Sequence, residues 1–302
     1  MTEMTPLEPA PARLTRGLDV YLKREDVHEL GAFKWRGALP VLEEYRSNGT
    51  DTVVTASTGN HGAATAWAAR RLGLRAVVFT PPGCSEKKLE LIARHGADLR
   101  IAGSDFDEAK EAARAFAERH DLPFFEDGIE RAQYDGYRAI GAEILEQLPE
   151  PSAVVVPVGN GALFGGIGLE LCDRSPATRR VGVVPKDAAV MADSWETGEA
   201  AASDRAATIA DGLAVRVAIP AAVAVLGEVA SAMARVSERA MAVAMAALDD
   251  EGITVESSAA AALAALDQLD ETDGPIVLVL TGRNVDDELL RRAHEEPDSF
   301  PD

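Results

Sequence analysis

Short apolar runs alternate with helix-length segments along most of this 302-residue chain, and that alternation limits its fold more than any other feature. Strands are predicted over 52–56, 75–79, 98–102 and 123–125, and helices over 63–72, 85–95, 106–120 and 139–148. Gly73 and Gly96 stand just past two of the helices, and Ser85 stands where one would be capped. Strands joined by helical crossovers must run parallel. The later runs 153–156, 180–184 and 275–280 are continuously apolar, as expected of strands buried on both faces. Alanine-rich helices are predicted over 237–249 and 257–269, a surface loop over 197–207 and a frayed end over 295–302. No internal repeat is visible. The length favours two domains over one. The expectation is an α/β protein, a two-domain three-layer αβα arrangement with mostly parallel sheets. A small mobile domain, 47–132, is inserted in a large one built from 1–46 and 133–302.

Charge excludes several functions. The formal net charge is −20, and only six of the thirty basic residues are lysines. Such a surface repels nucleic acid and anionic lipid. Ordinary solubility would account for it, but an acidic, lysine-poor, halophilic-type surface fits a high-salt cytoplasm better. No apolar run approaches the ~20 residues that span a bilayer, and residues 1–11 carry no signal-peptide pattern. Two cysteines, Cys84 and Cys172, indicate a reduced compartment and offer no metal-ligand spacing. The expected location is cytoplasmic, with no membrane or nucleic-acid partner.

Four segments carry chemistry. Tyr21-Leu22-Lys23-Arg24-Glu25-Asp26 is followed by Gly31-Ala32-Phe33-Lys34-Trp35-Arg36-Gly37-Ala38, which sets Lys34 in a short apolar turn. A lone loop lysine is ordinarily just solvated; one against Phe33 and Trp35 suits a Schiff base, which needs a neutral amine. Ser57-Thr58-Gly59-Asn60-His61-Gly62 follows a strand and opens a helix, so its backbone N–H groups can hold a carboxylate. Thr58 adds a hydroxyl donor, Asn60 can donate to a phenolate oxygen, and His61 reads as a capping or packing residue. Gly159-Asn160-Gly161-Ala162-Leu163 has the same setting and suits a monophosphate, since it lacks the ending of a nucleotide loop. Thr281, in Thr281-Gly282-Arg283-Asn284 at the end of the last strand, places a neutral hydroxyl where it could meet a pyridine nitrogen. A carboxylate there would make the ring a stronger electron sink; a threonine disfavours transamination and leaves elimination or replacement at the β-carbon. Together these are the parts that pyridoxal 5'-phosphate chemistry needs.

With these motifs in one order, the chain resembles the fold type II (tryptophan synthase β-like) pyridoxal phosphate enzymes, most closely the serine/threonine dehydratase and serine racemase branch. The resemblance runs from Thr5-Pro6-Leu7 through the segments above to Asp211-Gly212-Leu213-Ala214-Val215, Glu256-Ser257-Ser258-Ala259-Ala260 and Thr281–Asn284. It implies that Lys34 is the Schiff-base lysine and proton shuttle, with Phe33 flanking the ring. It implies that Asn60 meets the phenolic oxygen, and that Ser57, Thr58, Gly59 and His61 bind the substrate carboxylate. Gly159, Asn160, Gly161, Ala162 and Leu163 would hold the phosphate, Gly212 would lie beside the cofactor, Glu256 near the imine side, and Thr281 on the ring nitrogen.

Departures refine the expectation. Ala32 replaces the serine that dehydratases place before Phe-Lys, and Asn160 and Ala162 interrupt their run of glycines. Ser57-Thr58-Gly59-Asn60, Gly136-Tyr137-Arg138 and Pro157-Val158-Gly159-Asn160 are similar to threonine synthase, yet Trp35 replaces the aspartate of threonine and cysteine synthases. Thr58 stands where racemases of this branch use a serine. In Val183-Val184-Pro185-Lys186-Asp187-Ala188-Ala189-Val190, valines take both places of the family's acidic cation ligands, so no metal is expected and Lys186 is a candidate to fill that space. The expected function is an ammonia-lyase converting a small β-hydroxy amino acid, serine or threonine, to a 2-oxo acid and ammonia. The alternatives are threonine synthase-like or cysteine synthase-like β/γ-replacement, then a racemase or a catalytically silent cofactor-binding protein. The alanine- and valine-rich helices suit a homodimer.

Overall fold

The computed structural model describes residues 4–84, 86–269 and 274–302. The chain begins with β1 (Leu7–Pro9), α1 (Ala12–Thr15), β2 (Val20–Arg24), α2 (Trp35–Ser47) and β3 (Thr52–Ala56). It continues through α3 (Asn60–Leu72), β4 (Arg75–Thr80), α4 (Glu86–Ala93), β5 (Asp98–Ile101), α5 (Phe106–Arg119) and α6 (Arg131–Gln147). Then come β6 (Ala153–Pro157), α7 (Ala162–Arg174), β7 (Arg179–Pro185), α8 (Val190–Thr197), α9 (Pro220–Val229) and β8 (Ala232–Val236). It ends with α10 (Glu238–Asp250), α11 (Ser257–Ala264), β9 (Ile276–Leu280) and α12 (Asp287–Glu295). These elements form two compact units, Met1–Gly31 with Tyr137–Asp302, and Ala32–Gly136. Lys34 and α2 belong to the second unit.

The first unit is built on a sheet of order β1-β2-β9-β6-β7-β8. β1 is antiparallel to β2, and the other neighbours run parallel. Parallel strands with helical crossovers are covered on both faces, and the apolar runs show it. Ile276, Leu278 and Leu280 join Met241, Met245, Ala259 and Ala262 in one core cluster. Val277 and Val279, which point the other way, are as fully buried. The second unit has the parallel order β3-β4-β5. Val54, Ala56, Val77 and Phe79 pack against Ala113 and Ala117 of α5, while Val53 and Val78 are buried on the opposite face.

Three expectations change. Residues 123–125 make a single parallel bridge, Val54 with Phe124, instead of a strand. Its two hydrogen bonds, Val54 N to Pro123 O and Phe125 N to Val54 O, are followed at once by a turn. The end of the chain is not frayed. A 3-10 turn, Pro297–Ser299, leads to Phe300, which is buried under the Arg292 guanidinium at 4.1 Å, and Arg239 N donates to Pro301 O. The helix predicted over 257–269 stops at Ala264 and tightens to a 3-10 turn over Leu266–Gln268. Ser85, expected as a cap, lies outside the described residues.

The Lys23-Arg24-Glu25-Asp26 segment is structural. Lys23 is fully buried, and its Nζ donates to Thr5 O at 2.8 Å, Glu143 Oε2 at 2.6 Å and Gln147 Oε1 at 3.0 Å. Thr5 Oγ1 donates to Glu25 Oε1 at 2.6 Å. One ammonium thus ties β2 to the chain start and to the C-terminal part of α6. A buried ion pair is costly to break from one side, because the remaining charge stays desolvated. Lys23→Met is expected to lower unfolding stability by about 3 kcal/mol, read as a lower denaturant midpoint; an unchanged midpoint would contradict the assignment.

Candidate functional site

Lys34 lies in the second unit. Lys34 immediately precedes α2 with helical backbone angles, and its side chain is 17% exposed. Its Nζ lies 5.0 Å from the centre of the Phe33 ring and 2.5 Å from Asp127 Oδ2. Trp35, the other expected wall, turns away: its ring packs edge-on to Trp67 of α3, and Arg36 lies over it. Asp127 is held from both sides. Gln133 Nε2 donates to Asp127 Oδ1 at 2.5 Å, and Gly128 N donates to Gln133 Oε1 at 2.7 Å, which fixes the orientation of that amide. Burial alone would push the Asp127 carboxyl up; the Lys34 charge overrides it and holds it well below the usual carboxylate range.

His61 stands on the far side of this carboxylate, with Nδ1 3.6 Å from Asp127 Oδ1. The Thr55 hydroxyl donates to Phe125 O at 2.7 Å, so His61 Nε2 donates to Thr55 Oγ1 at 3.0 Å. The ring also stacks edge-on against Phe125, 4.5 Å between centres. These contacts pack and anchor the imidazole inside the second unit. Burial pushes the imidazole below its ordinary range, against the pull of Asp127 and Glu126 and with the help of Lys34.

The loop from β3 to α3 uses some of its own donors. The Ser57 side chain is buried, and its Oγ accepts from Gly62 N at 2.9 Å and Gly59 N at 3.1 Å. Ser57 therefore shapes the loop from within. The amides of Thr58, Asn60 and His61 have no intrahelical carbonyl to bond at this helix start. Thr58, Gly59 and Asn60 are the partly exposed members of the segment.

The other expected groups lie in the first unit. β2, β9 and β6 are parallel neighbours, so the chain leaves all three at the same sheet edge. After β6, Gly159, Asn160 and Gly161 lead into α7, with Ala162 and Leu163 in its first turn. Gly161 has φ +93°, which only glycine adopts at no cost. A Cβ on Gly159 would stand 2.5 Å from Gly212 O, so the two backbones are packed directly together. Asn160 Oδ1 accepts from Ala162 N at 3.1 Å, which fills one of the amides that a phosphate could use. The Leu163 and Phe164 amides remain without an intrahelical partner.

At the end of β9, the Thr281 hydroxyl is buried and has no hydrogen-bond partner among the described residues. The same holds for Ser258 Oγ, which a Cβ on Gly212 would meet at 2.9 Å. Glu256 is buried at the start of α11; its N–H donates to Gly282 O, and its carboxylate lies against Gly282. Gly31, at φ +65°, is held by Arg283 N donating to its carbonyl, and Asn284 Nδ2 donates to Leu30 O. A buried orphan hydroxyl on a strand end and a glycine cradle at a helix start fit a pyridine nitrogen and a phosphate. Among the described residues no three His, Cys, Asp or Glu side chains gather to hold a metal ion. Lys186 is exposed and fills no buried space.

Asp127, Gln133 and Ser258 were not singled out in the sequence as site residues. Asp127 lies 93 residues from Lys34 along the chain, in a turn with no periodicity. The only sign was an Asp-Gly pair after an apolar run.

The buried, neutral His61 makes stability depend on pH. Below about pH 6.5 the unfolded chain takes up a proton that the folded imidazole resists, so stability falls on acidification through that range. Asp127, Lys34 and Glu126 are the charged groups that act on it. In His61→Asn the slope of unfolding stability between pH 7 and 5 is expected to be shallower by up to about 1.4 kcal/mol per pH unit. Equal slopes in denaturant titrations of the two proteins would contradict this.

The chain matches the family model described as pyridoxal-phosphate dependent enzyme over residues 2–282. It is 33% identical to the L-threonine ammonia-lyase of Geobacter sulfurreducens over 277 residues, which are 89% of this chain and 68% of that protein. It is 35% identical to the biosynthetic L-threonine dehydratase of Mycobacterium tuberculosis over 294 residues, 93% of this chain and 68% of that one. Among solved structures, the processed threonine deaminase isoform 2 of Solanum lycopersicum matches with TM-score 0.92 and 30% identity, over 97% of this chain and 88% of that chain. Maize serine racemase matches with TM-score 0.90 and 25% identity, over 98% and 93%. The protein belongs to the pyridoxal-phosphate dependent enzyme family.

Proposed function

We propose that this chain is an ammonia-lyase that converts a small β-hydroxy amino acid of the serine or threonine class to a 2-oxo acid and ammonia. The observation that carries the choice of reaction is the Thr281 hydroxyl, buried without a partner at the end of β9. A neutral group there favours elimination over transamination. The names of the relatives, threonine ammonia-lyase and threonine dehydratase, support the same reading.

In this reading Lys34 would hold the cofactor's aldehyde carbon, Phe33 would flank the ring and Asn60 would donate to the phenolic oxygen. Thr281 meets the ring nitrogen, Glu256 and Gly212 lie beside the cofactor, and Gly159 to Leu163 hold the phosphate. The bound cofactor supplies an electron sink for the pair left behind when the α-proton departs. Thr58, Asn60 and His61 amides and the Thr58 hydroxyl bind the substrate carboxylate, with Ser57 and Gly59 shaping their loop. The Lys34 amine would take the α-proton. The β-hydroxyl would leave with a proton as water, and the enamine so formed would take up water and give the 2-oxo acid and ammonia.

A replacement reaction of the threonine-synthase type is the second reading, favoured by Ser57-Thr58-Gly59-Asn60 and Gly136-Tyr137-Arg138. We also propose a cytoplasmic homodimer. Both cysteines are free, which fits a reduced compartment, and Val243 is exposed on the alanine-rich α10. The helices of the described residues include none long and apolar enough to cross a membrane.

Two outcomes are expected. Incubation with serine, threonine and O-phosphohomoserine should yield 2-oxo acid from the hydroxy amino acids, and Lys34→Ala should lose both this activity and the visible absorbance. Threonine as the product would transfer the assignment to the second reading. Gly159→Ala should weaken cofactor binding at least about tenfold, since its Cβ would stand 2.5 Å from Gly212 O; unchanged affinity in a fluorescence titration would contradict the phosphate assignment.

A further inference from the structure

We propose that Asp127 is a positioning residue for Lys34: a fixed carboxylate that sets where the amine sits and stabilises it whenever it carries positive charge. The proposal rests on the reading of Lys34 given above.

The carboxylate is the fixed member of the pair. One oxygen takes Gln133 Nε2 at 2.5 Å, and Gln133 is fully buried with its own oxygen occupied by Gly128 N. Gly128 is held in turn, because Tyr134 donates its hydroxyl to Gly128 O at 3.1 Å. Burial pushes that phenol up to about 12, so it stays a donor throughout the working range. The His61 ring packs near the same oxygen, Nδ1 at 3.6 Å, without a hydrogen bond to it. The second oxygen faces Lys34 Nζ at 2.5 Å. The amine, on a flexible four-carbon stem, is the member that moves.

The pair has a consequence for chemistry. When Lys34 takes the substrate's α-proton, the bonding pair stays with carbon and the nitrogen becomes an ammonium. In a partly buried site an adjacent carboxylate stabilises that cation. It also draws the amine back to one position after each turnover, and small misplacements of a reacting group are expensive. Asp127 touches neither substrate nor cofactor in this scheme; it acts through Lys34.

The test uses the cofactor-loaded enzyme and its Asp127→Asn and Asp127→Glu variants. Asp127→Asn should keep its visible band and a KM within about threefold of the parent, while kcat falls about 100-fold. The pH midpoint of its visible band should move down by about one unit, because the linking nitrogen has lost a neighbouring negative charge. Asp127→Glu should restore that midpoint and part of kcat. An Asp127→Asn enzyme with unchanged kcat and midpoint would overturn the proposal, even if it took up cofactor faster. Such a result would mean that the ion pair exists only before cofactor is bound. Loss confined to KM or to folding would also overturn it. A parent enzyme with no visible band would overturn this proposal together with the reading of Lys34.

Discussion

Parallel pairing is the constraint on which the first unit depends. Because β2, β9 and β6 run the same way side by side, the chain must leave each at one edge of the sheet. The segments that follow within this unit are the turn at Gly31, the Thr281–Asn284 turn and the Gly159–Leu163 loop. Arg283 N donates to Gly31 O, which ties the first two turns, and Gly159 is packed on Gly212 of the Asp211–Leu213 turn. A side chain at Gly31 would meet Asn284, and one at Gly159 would meet Gly212 O.

The second unit shows how a lysine is kept usable in an apolar place. A lone ammonium beside Phe33 would be costly to desolvate. Asp127 offsets that cost, and Gln133, Gly128 and Tyr134 hold Asp127 in turn. Lys23 solves a similar problem differently. Three acceptors surround it in full burial, and nothing is left over for chemistry. The contrast separates the two lysines of one sequence segment: a satisfied charge is structural, whereas Lys34 meets one carboxylate and an aromatic face.

The parts legible in the sequence were those that the backbone writes. Glycine-rich turns between an apolar run and a helix are read directly, and the strand runs 153–156 and 275–280 fall within a residue or so of β6 and β9. The parts that were not legible depend on distant side chains. Asp127 reaches Lys34 across 93 residues from a turn that no period announces. Ser57, expected to face a substrate, instead bonds Gly59 and Gly62, because an inward hydroxyl satisfies two amides of its own loop. Residues 123–125 were apolar enough for a strand but keep only one bridging pair before the turn that carries Asp127. Phe300 was hidden in a polar end, where one buried ring under Arg292 was enough to order the segment.

The most direct measurement is covalent. Reducing the cofactor-treated protein with borohydride and mapping its peptides by mass spectrometry should place one phosphopyridoxyl group on Lys34. Finding it on Lys87, Lys88, Lys110 or Lys186, or on no lysine, would contradict the account at its centre.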